Sequence, residues 1–378
     1  MEKIVYFDHS ATTSVKKEVL DEMLPFFSKY YGNASGTYNL GIKSRETVET
    51  SREKIADLIN ADYTHEIYFT SCGSESDNMV IRGIALANKD LGRHIITTKI
   101  EHKAILNTCK ELEKEGFEVT YLDVDEEGFV RLNDIKNAIR NDTILISVML
   151  ANNEIGTIQN ISSIGKLARF KGIYFHTDAV QAIGNVEINV KEMSIDAMSF
   201  SAHKFYGPKG VGGVYIRKGI KFTPLINGGG QENSKRAGTE NVAGIVGMTK
   251  AFEIAVKNIK DYNKKLLELR TYLIEKLKDN FKDLKINGSL ESRLPGNLNF
   301  YIKGINGKEI ITLLGMENIC VSGGSACNKG APSYVLKAIG KSDEISSNSI
   351  RVTFGDENTK EDVDYFVDSL IKNIKNLP

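Results

Sequence analysis

The alternation of segment types between residues 94 and 149 constrains the fold of this chain more than any other feature. Strand-like apolar segments at 94–97, 118–122 and 143–149 are separated by helix-like segments at 103–115 and 133–140. Strands that alternate with single helices in this way are neighbours in a parallel sheet and are joined by right-handed crossovers. The sequence therefore predicts an α/β fold in which helices flank a mostly parallel sheet.

Length and composition allow more than one domain and argue against several classes of protein. The 378 residues, 41% of them hydrophobic, suffice for a large core and for two or three domains. Lysine plus arginine equals aspartate plus glutamate at 49 each, so no net charge attracts nucleic acid or an acidic membrane. No apolar run approaches the roughly 20 residues of a membrane span. We predict a cytoplasmic protein with no membrane partner and no direct nucleic-acid partner.

The cysteines and histidines do not follow the spacing of a disulfide scaffold or a metal site. The four cysteines, Cys72, Cys109, Cys320 and Cys327, include no Cys-x-x-Cys pair, and the six histidines include no His-x-x-x-His pair. We therefore predict no metal. Cys327 lies in a small, polar, glycine-rich stretch, 322–331, which buries little and is expected to move. Its thiol is either an incidental exposed group or a nucleophile that is kept free to move.

Two apolar segments, 174–178 and 196–201, lead into ionisable side chains. The first ends at Asp178 and the second is followed by Lys204. A lone lysine here is more often an ordinary solvated residue. An acid and an amine at neighbouring strand ends, however, are what pyridoxal phosphate (PLP) requires. The amine forms a Schiff base with PLP, and the carboxylate keeps the pyridine nitrogen protonated. Opposite charges about 4 Å apart at an effective dielectric near 20 interact by roughly 4 kcal/mol, or about three pKa units. The pair predicts a PLP site.

A candidate phosphate site follows the predicted strand at 66–70. Gly73 and Ser74 open an apolar helix that runs to about Asn88, so their amides and the Ser74 hydroxyl lie at a helix N-terminus, where anions bind. A plain helix cap is an equally good interpretation. The glycine-rich run 207–213 is a rival phosphate loop, although it lacks the Gly-Lys-Ser/Thr ending of a nucleotide P-loop.

Eight motifs in the same order along the chain make the sequence resemble one family. They are 8–13, 69–78, 101–103, 152–156, the segments around Asp178 and Lys204, 228–232 with 236–241, 323–327 and 349–352. The chain resembles the cysteine desulfurases of the NifS/IscS type, which belong to the class V aminotransferase family of fold type I PLP enzymes. The resemblance implies a large domain, 15–260, with a seven-stranded type of sheet, and a smaller α/β domain formed by 1–14 and 261–378.

The resemblance also implies which residues form the active site. His102 would stack on the pyridine ring, although a lone histidine is more often structural. Asn153 would bind either the cofactor O3′ or a substrate carboxylate, and Thr239 would reach the phosphate held by the other subunit. The full predicted set is Gly73, Ser74, His102, Asn153, Asp178, Gln181, Ser201, His203, Lys204 and Thr239 for the cofactor, Asn153 and Arg351 for the substrate, and Lys204, Cys327 and His102 for catalysis.

The activity implied by the resemblance is the conversion of L-cysteine to L-alanine with a persulfide on Cys327. The sulfur would pass to an acceptor protein, either an iron–sulfur scaffold or a tRNA-thiolation enzyme, and the protein would be a homodimer. A selenocysteine lyase or a class V aminotransferase on the same scaffold is the nearest alternative. A catalytically idle PLP-fold scaffold that binds partner proteins is a second, which Lys204, Asp178 and Cys327 argue against.

Overall fold

A computed structural model describes residues 4–324 and 331–376 of the chain. Its strands, in chain order, are β1 Val5–Tyr6, β2 Ile67–Thr70, β3 His94–Thr98, β4 Glu118–Leu122, β5 Thr143–Ser147, β6 Tyr174–Asp178, β7 Ala197–Ser201, β8 Gly212–Ile216, β9 Leu284–Ile286, β10 Asn297–Ile302, β11 Ile319–Cys320 and β12 Ile350–Thr353. Its helices are α1 Lys17–Met23, α2 Pro25–Ser28, α3 Asn39–Leu58, α4 Gly73–Ala87, α5 Lys103–Lys114, α6 Leu132–Ala138, α7 Ile161–Phe170, the distorted turn α8 Gln231–Ser234, α9 Val242–Lys257, α10 Ile259–Asn280, α11 Gly307–Met316, α12 Tyr334–Ala338, α13 Asp343–Asn348 and α14 Lys360–Asn376.

The largest sheet has seven strands in the order β2-β8-β7-β6-β5-β3-β4. The pairs from β7 to β4 are all parallel, whereas β8 runs antiparallel to both β2 and β7. Every residue of β3, β5 and β7 is buried, as expected for strands covered by helices on both faces. The predicted mostly parallel, seven-stranded sheet flanked by helices is confirmed.

A second hydrophobic cluster surrounds two smaller sheets. The antiparallel sheet β12-β10-β9 and the parallel pair β1-β11 lie beside each other, and a bridge between Asp8 and Thr353 joins the N-terminal segment to β12. Val5 and Phe7 are buried among residues of β10, β12 and α14. The N-terminal segment therefore packs with the C-terminal part of the chain. The domain limits 15–260 and 1–14 with 261–378 stay a prediction.

The structure corrects the sequence interpretation at one helix. The hydrophobic pattern of 15–27 predicts one amphipathic helix, but the segment is divided into α1 and α2 at Leu24, because Pro25 begins a new helix. The rival phosphate loop 207–213 ends inside the sheet, since Gly212 and Gly213 open β8. A Cβ atom on Gly213 would lie 2.5 Å from the Phe200 ring, so glycine serves close packing there and not anion binding. Among the helices of the described part of the chain, none has the length and apolar content to cross a membrane.

Candidate active site

The predicted site residues gather at the carboxyl edge of the large sheet. Asp178 is the last residue of β6, Lys204 lies in the short turn after β7, and His102 lies between β3 and α5. Because β3, β6 and β7 run in the same direction, their ends meet at one edge. A cavity of about 260 Å³ lies there. The predicted residues that line it are Gly73, Ser74, His102, Asn153, Asp178, Gln181, Ser201, His203, Lys204 and Arg351.

Two predicted residues are not in this group. Thr239 is exposed and does not line the cavity of its own chain. Cys327 lies outside the described residues.

Lys204 is held at the cavity by the N-terminal segment. Its Nζ atom donates hydrogen bonds to the carbonyl oxygens of Ser10, at 2.6 Å, and Ala11, at 2.8 Å. The Gln181 side chain also donates to the Ser10 carbonyl, at 3.0 Å. The segment that begins the chain therefore covers the lysine and fixes the direction of its amine.

Asp178 is a buried carboxyl group that requires a cationic partner. Its side chain accepts the Val180 amide at 2.8 Å. Burial raises the pKa of Asp178, while nearby His102, the Val180 amide and the Lys204 ammonium lower it. A protonated pyridine nitrogen against this carboxyl would supply the missing positive charge, so the donor set fits PLP.

His102 presents a neutral imidazole to the cavity. Its Nδ1 atom accepts the amide of Ala104 at 3.2 Å and so caps α5, which leaves the ring proton on Nε2. Burial lowers the pKa of His102, and the neighbouring Lys204 and Lys103 lower it further, against an opposing effect of Asp178. A flat, uncharged ring in this place can stack on a pyridine and can accept a proton once its orientation changes.

The N-terminus of α4 forms a cradle of suitable shape for a phosphate. Gly73 is the first residue of this 15-residue helix, and a Cβ atom on it would lie 2.8 Å from Val180 Cγ2. Ser201 Oγ is buried and has no hydrogen-bond partner within the described residues. An unpaired buried hydroxyl is costly unless a ligand pairs with it. These groups match the phosphate of PLP.

Arg351 brings a guanidinium group to the opposite side of the cavity. It is 1% exposed, donates from Nη2 to Asp8 Oδ1 at 2.7 Å and from Nη1 to the Asn153 carbonyl at 3.0 Å. Its Nε atom has no partner in the described part of the chain. The group is therefore fixed in place and retains a donor for a carboxylate.

His203 lies beside Lys204 in the short turn after β7. Its Nδ1 atom lies 3.1 Å from Thr12 Oγ1, and burial together with Lys204 and Lys209 lowers its pKa to about 4. A neutral His203 adds no charge to the cavity near neutral pH.

Sequence reasoning did not identify Asp77 as part of the site. Asp77 lines the cavity, is 1% exposed and lies 3.9 Å from His176 Nε2. Burial raises its pKa, and Asp178 adds to the effect. Asp77 lies in the first turns of α4, where an acid is usually exposed. Its burial could have been predicted only by working out which face of α4 packs against the sheet.

A lysine and a carboxyl group at neighbouring strand ends, with a helix N-terminus for the phosphate, define a PLP-dependent enzyme of fold type I. Comparison with known proteins agrees. The model of the aminotransferase class V family matches residues 5–366. Cysteine desulfurase IscS of Clostridium botulinum (strain Hall) is 55% identical, over 99% of this chain and 95% of its own length. Cysteine desulfurase IscS of Methanosarcina thermophila is 50% identical, over 99% and 94%.

Solved structures give the same result. A NifS-like protein is 40% identical with a TM-score of 0.94, over 99% of this chain and all of that chain. The structure of SspA in complex with cysteine is 37% identical with a TM-score of 0.82, over 93% of this chain and 98% of that one. The chain belongs to the class V aminotransferase family and, within it, to the cysteine desulfurases of the NifS/IscS type.

Proposed function

We propose that this enzyme converts L-cysteine to L-alanine and carries the released sulfur as a persulfide on Cys327. The observation that carries the proposal is the convergence of Lys204, Asp178 and Arg351 on one cavity, together with the desulfurase names of full-length relatives. Cysteine is the molecule bound in the related SspA structure. Transamination needs no thiol, so the presence of Cys327 favours desulfuration.

The described residues are suited to hold PLP in one orientation. Gly73, Ser74 and Ser201 would hold the phosphate, Asp178 the pyridine nitrogen, and His102 the face of the ring. Bound PLP would withdraw electrons from the α-carbon of an amino acid attached to it. The chain itself has to orient the substrate and move protons.

Four residues share this work. Arg351 and Asn153 bind the α-carboxylate of cysteine, and a charge-assisted hydrogen bond from Arg351 Nε fixes its direction. The Lys204 amine would take the α-proton of the bound substrate and later return a proton. Neutral His102 is the available base for the thiol of Cys327, whose ordinary pKa of about 8.5 leaves it mostly protonated near neutral pH.

The sulfur step balances without an added oxidant. The Cys327 thiolate attacks the substrate sulfur, the Cβ–S bond breaks, and its electron pair stays on the carbon, which is protonated to give alanine. The enzyme then holds a persulfide whose terminal sulfur passes to an acceptor protein. We propose that this acceptor is an iron–sulfur scaffold or a tRNA-thiolation enzyme in the cytoplasm.

We also propose that the enzyme is a homodimer with composite sites and that it has the two domains given above. Thr239 is exposed and outside its own cavity, which is compatible with a contact to the phosphate held by the partner subunit. A two-fold symmetric dimer is the commonest assembly of this kind.

Replacement of Cys327 tests the proposed chemistry. Cys327→Ser should bind PLP and change its visible absorbance when cysteine is added, because those steps need only Lys204, Asp178 and Arg351, yet it should release neither sulfide nor alanine. Cys320→Ser is the matched control and should retain turnover, since the half-buried Cys320 lies in β11. Sulfide release by Cys327→Ser at the unmodified rate would contradict the persulfide mechanism.

A further inference from the structure

The segment from Gln231 to Glu240 contains the most unusual backbone of the described chain. Glu232, Asn233 and Ser234 have φ values of 46°, 54° and 61° in succession. Residues other than glycine adopt this left-handed region rarely and at an energetic cost, so three in a row persist only where the surroundings hold them. The segment then leads to the exposed Thr239.

A buried ion pair holds this strained turn on β2. Arg52 and Glu232 side chains are each 4% exposed and form a forked contact, with Nη1–Oε2 at 2.7 Å and Nη2–Oε1 at 3.0 Å. Glu232 also accepts the Phe69 amide at 3.0 Å, and Arg52 donates to the Ile67 carbonyl at 2.6 Å. Forked, fully buried contacts of this kind permit a single geometry. The turn is therefore fixed to β2.

A second ion pair ties the same segment to the phosphate cradle. Arg236 donates from Nε to Glu75 Oε1 at 2.8 Å and from Nη2 to Oε2 at 3.2 Å. Glu75 lies two residues after Gly73 in the first turn of α4, and Arg236 lies three residues before Thr239. The Arg236–Glu75 pair thus ends on α4, and the Arg52–Glu232 pair ends on α3 and is hydrogen-bonded to β2 through Ile67 and Phe69. Thr239 does not line the cavity of its own chain.

We propose that these two ion pairs position Thr239 for the phosphate of the cofactor in the partner subunit. The inference rests on the proposed homodimer and deepens it, because it assigns the positioning role to Arg52, Glu232, Glu75 and Arg236. The effect therefore crosses the dimer interface: breaking a pair in one subunit weakens cofactor retention in the other subunit.

Heterodimers with one functional lysine test the direction of the effect. Two differently tagged chains are combined so that Lys204→Ala leaves a single site able to form a covalent pyridoxyl label. Arg236→Gln is placed either on the Lys204→Ala chain or on the chain that keeps Lys204. Cofactor retention is followed by borohydride reduction at intervals after dilution, which measures label and not activity.

Cofactor loss should be about tenfold faster when Arg236→Gln lies on the Lys204→Ala chain, the scale of one lost charge-assisted contact. Cofactor loss should stay at the wild-type rate when Arg236→Gln lies on the chain that keeps Lys204. Arg82→Gln is the matched control: Arg82 lies on α4, as Glu75 does, and pairs with Glu115 just after α5, so its replacement should have no effect in either arrangement. Arg236→Lys keeps the charge but loses the forked contact, so its rate of cofactor loss should lie between those of the wild type and Arg236→Gln.

The inference would be overturned if Arg236→Gln accelerated cofactor loss equally in both arrangements, or only when it lies on the chain that keeps Lys204. The ion pair would then only stabilise the phosphate cradle of its own chain. Thr239→Val in the same format separates this failure from failure of the dimer contact. If Thr239→Val acts across subunits and Arg236→Gln does not, the composite site stands and the positioning role falls. If Thr239→Val has no effect across subunits, both fall. Glu232→Gln repeats the test at the buried pair.

Discussion

Replacement of Glu101 by glutamine should stabilise the protein, and by an amount that grows with pH. Glu101 is fully buried beside His102, where it accepts the Thr98 hydroxyl at 2.6 Å and the Met149 amide at 3.0 Å. Burial raises the pKa of Glu101 from 4.5 to about 8, although these hydrogen bonds oppose the shift. The carboxyl group therefore keeps its proton in the folded protein at neutral pH. Glutamine copies the shape of that neutral form.

The sign and size follow from the two pKa values. The unfolded chain releases the Glu101 proton above pH 4.5, whereas the folded protein keeps it up to about pH 8, so the native state loses stability as pH rises between these values. At 1.36 kcal/mol per pKa unit, the loss is about 1 kcal/mol at pH 5, about 3 kcal/mol at pH 7 and about 4 kcal/mol at pH 8. Glu101→Gln removes a loss of this order.

Guanidinium unfolding of wild type and Glu101→Gln at pH 5, 7 and 8, at equal cofactor loading, measures the effect. The advantage of the variant should increase by about 3 kcal/mol from pH 5 to pH 8. Glu111→Gln on the exposed face of α5 is the control and should show no such trend. A difference that does not change with pH, or a variant less stable at pH 8, would refute the reasoning that Glu101 is held protonated.

Two further predictions concern the cavity. Lys204→Ala should fold but give no pyridoxyl-labelled peptide after borohydride reduction, because Lys204 supplies the amine that the Ser10 and Ala11 carbonyls hold at the cavity; a label on a different lysine would contradict the assignment. Arg351→Lys should raise KM for cysteine about 10- to 100-fold with a smaller effect on kcat, since it removes the Nε donor and a charge-assisted hydrogen bond to a carboxylate is worth about 1.5–3 kcal/mol. An unchanged KM would remove Arg351 from the carboxylate site.

The sequence alone predicted the sheet and the placement of Asp178 and Lys204 at its carboxyl edge. The alternation of strand and helix periods is a local property, so it predicts β3, β4 and β5 closely. Parallel strands end at a common edge by construction, which is why Asp178 and Lys204 could be placed together from their positions at strand ends. The close packing of the β8 glycines against Phe200 could not be predicted from the sequence, because Phe200 belongs to a different strand.

Contacts between distant parts of the chain were decided only by the tertiary structure. The carbonyl groups that hold Lys204 come from Ser10 and Ala11, and the carboxylate that holds Arg351 comes from Asp8 at the other end of the chain. The periodic pattern of apolar residues along a sequence does not show which residues become neighbours across such separations. Burial, too, is a property of the assembled fold: what keeps a proton on Glu101 and removes one from His102 is exclusion of water by surrounding elements, and residue type alone does not specify it.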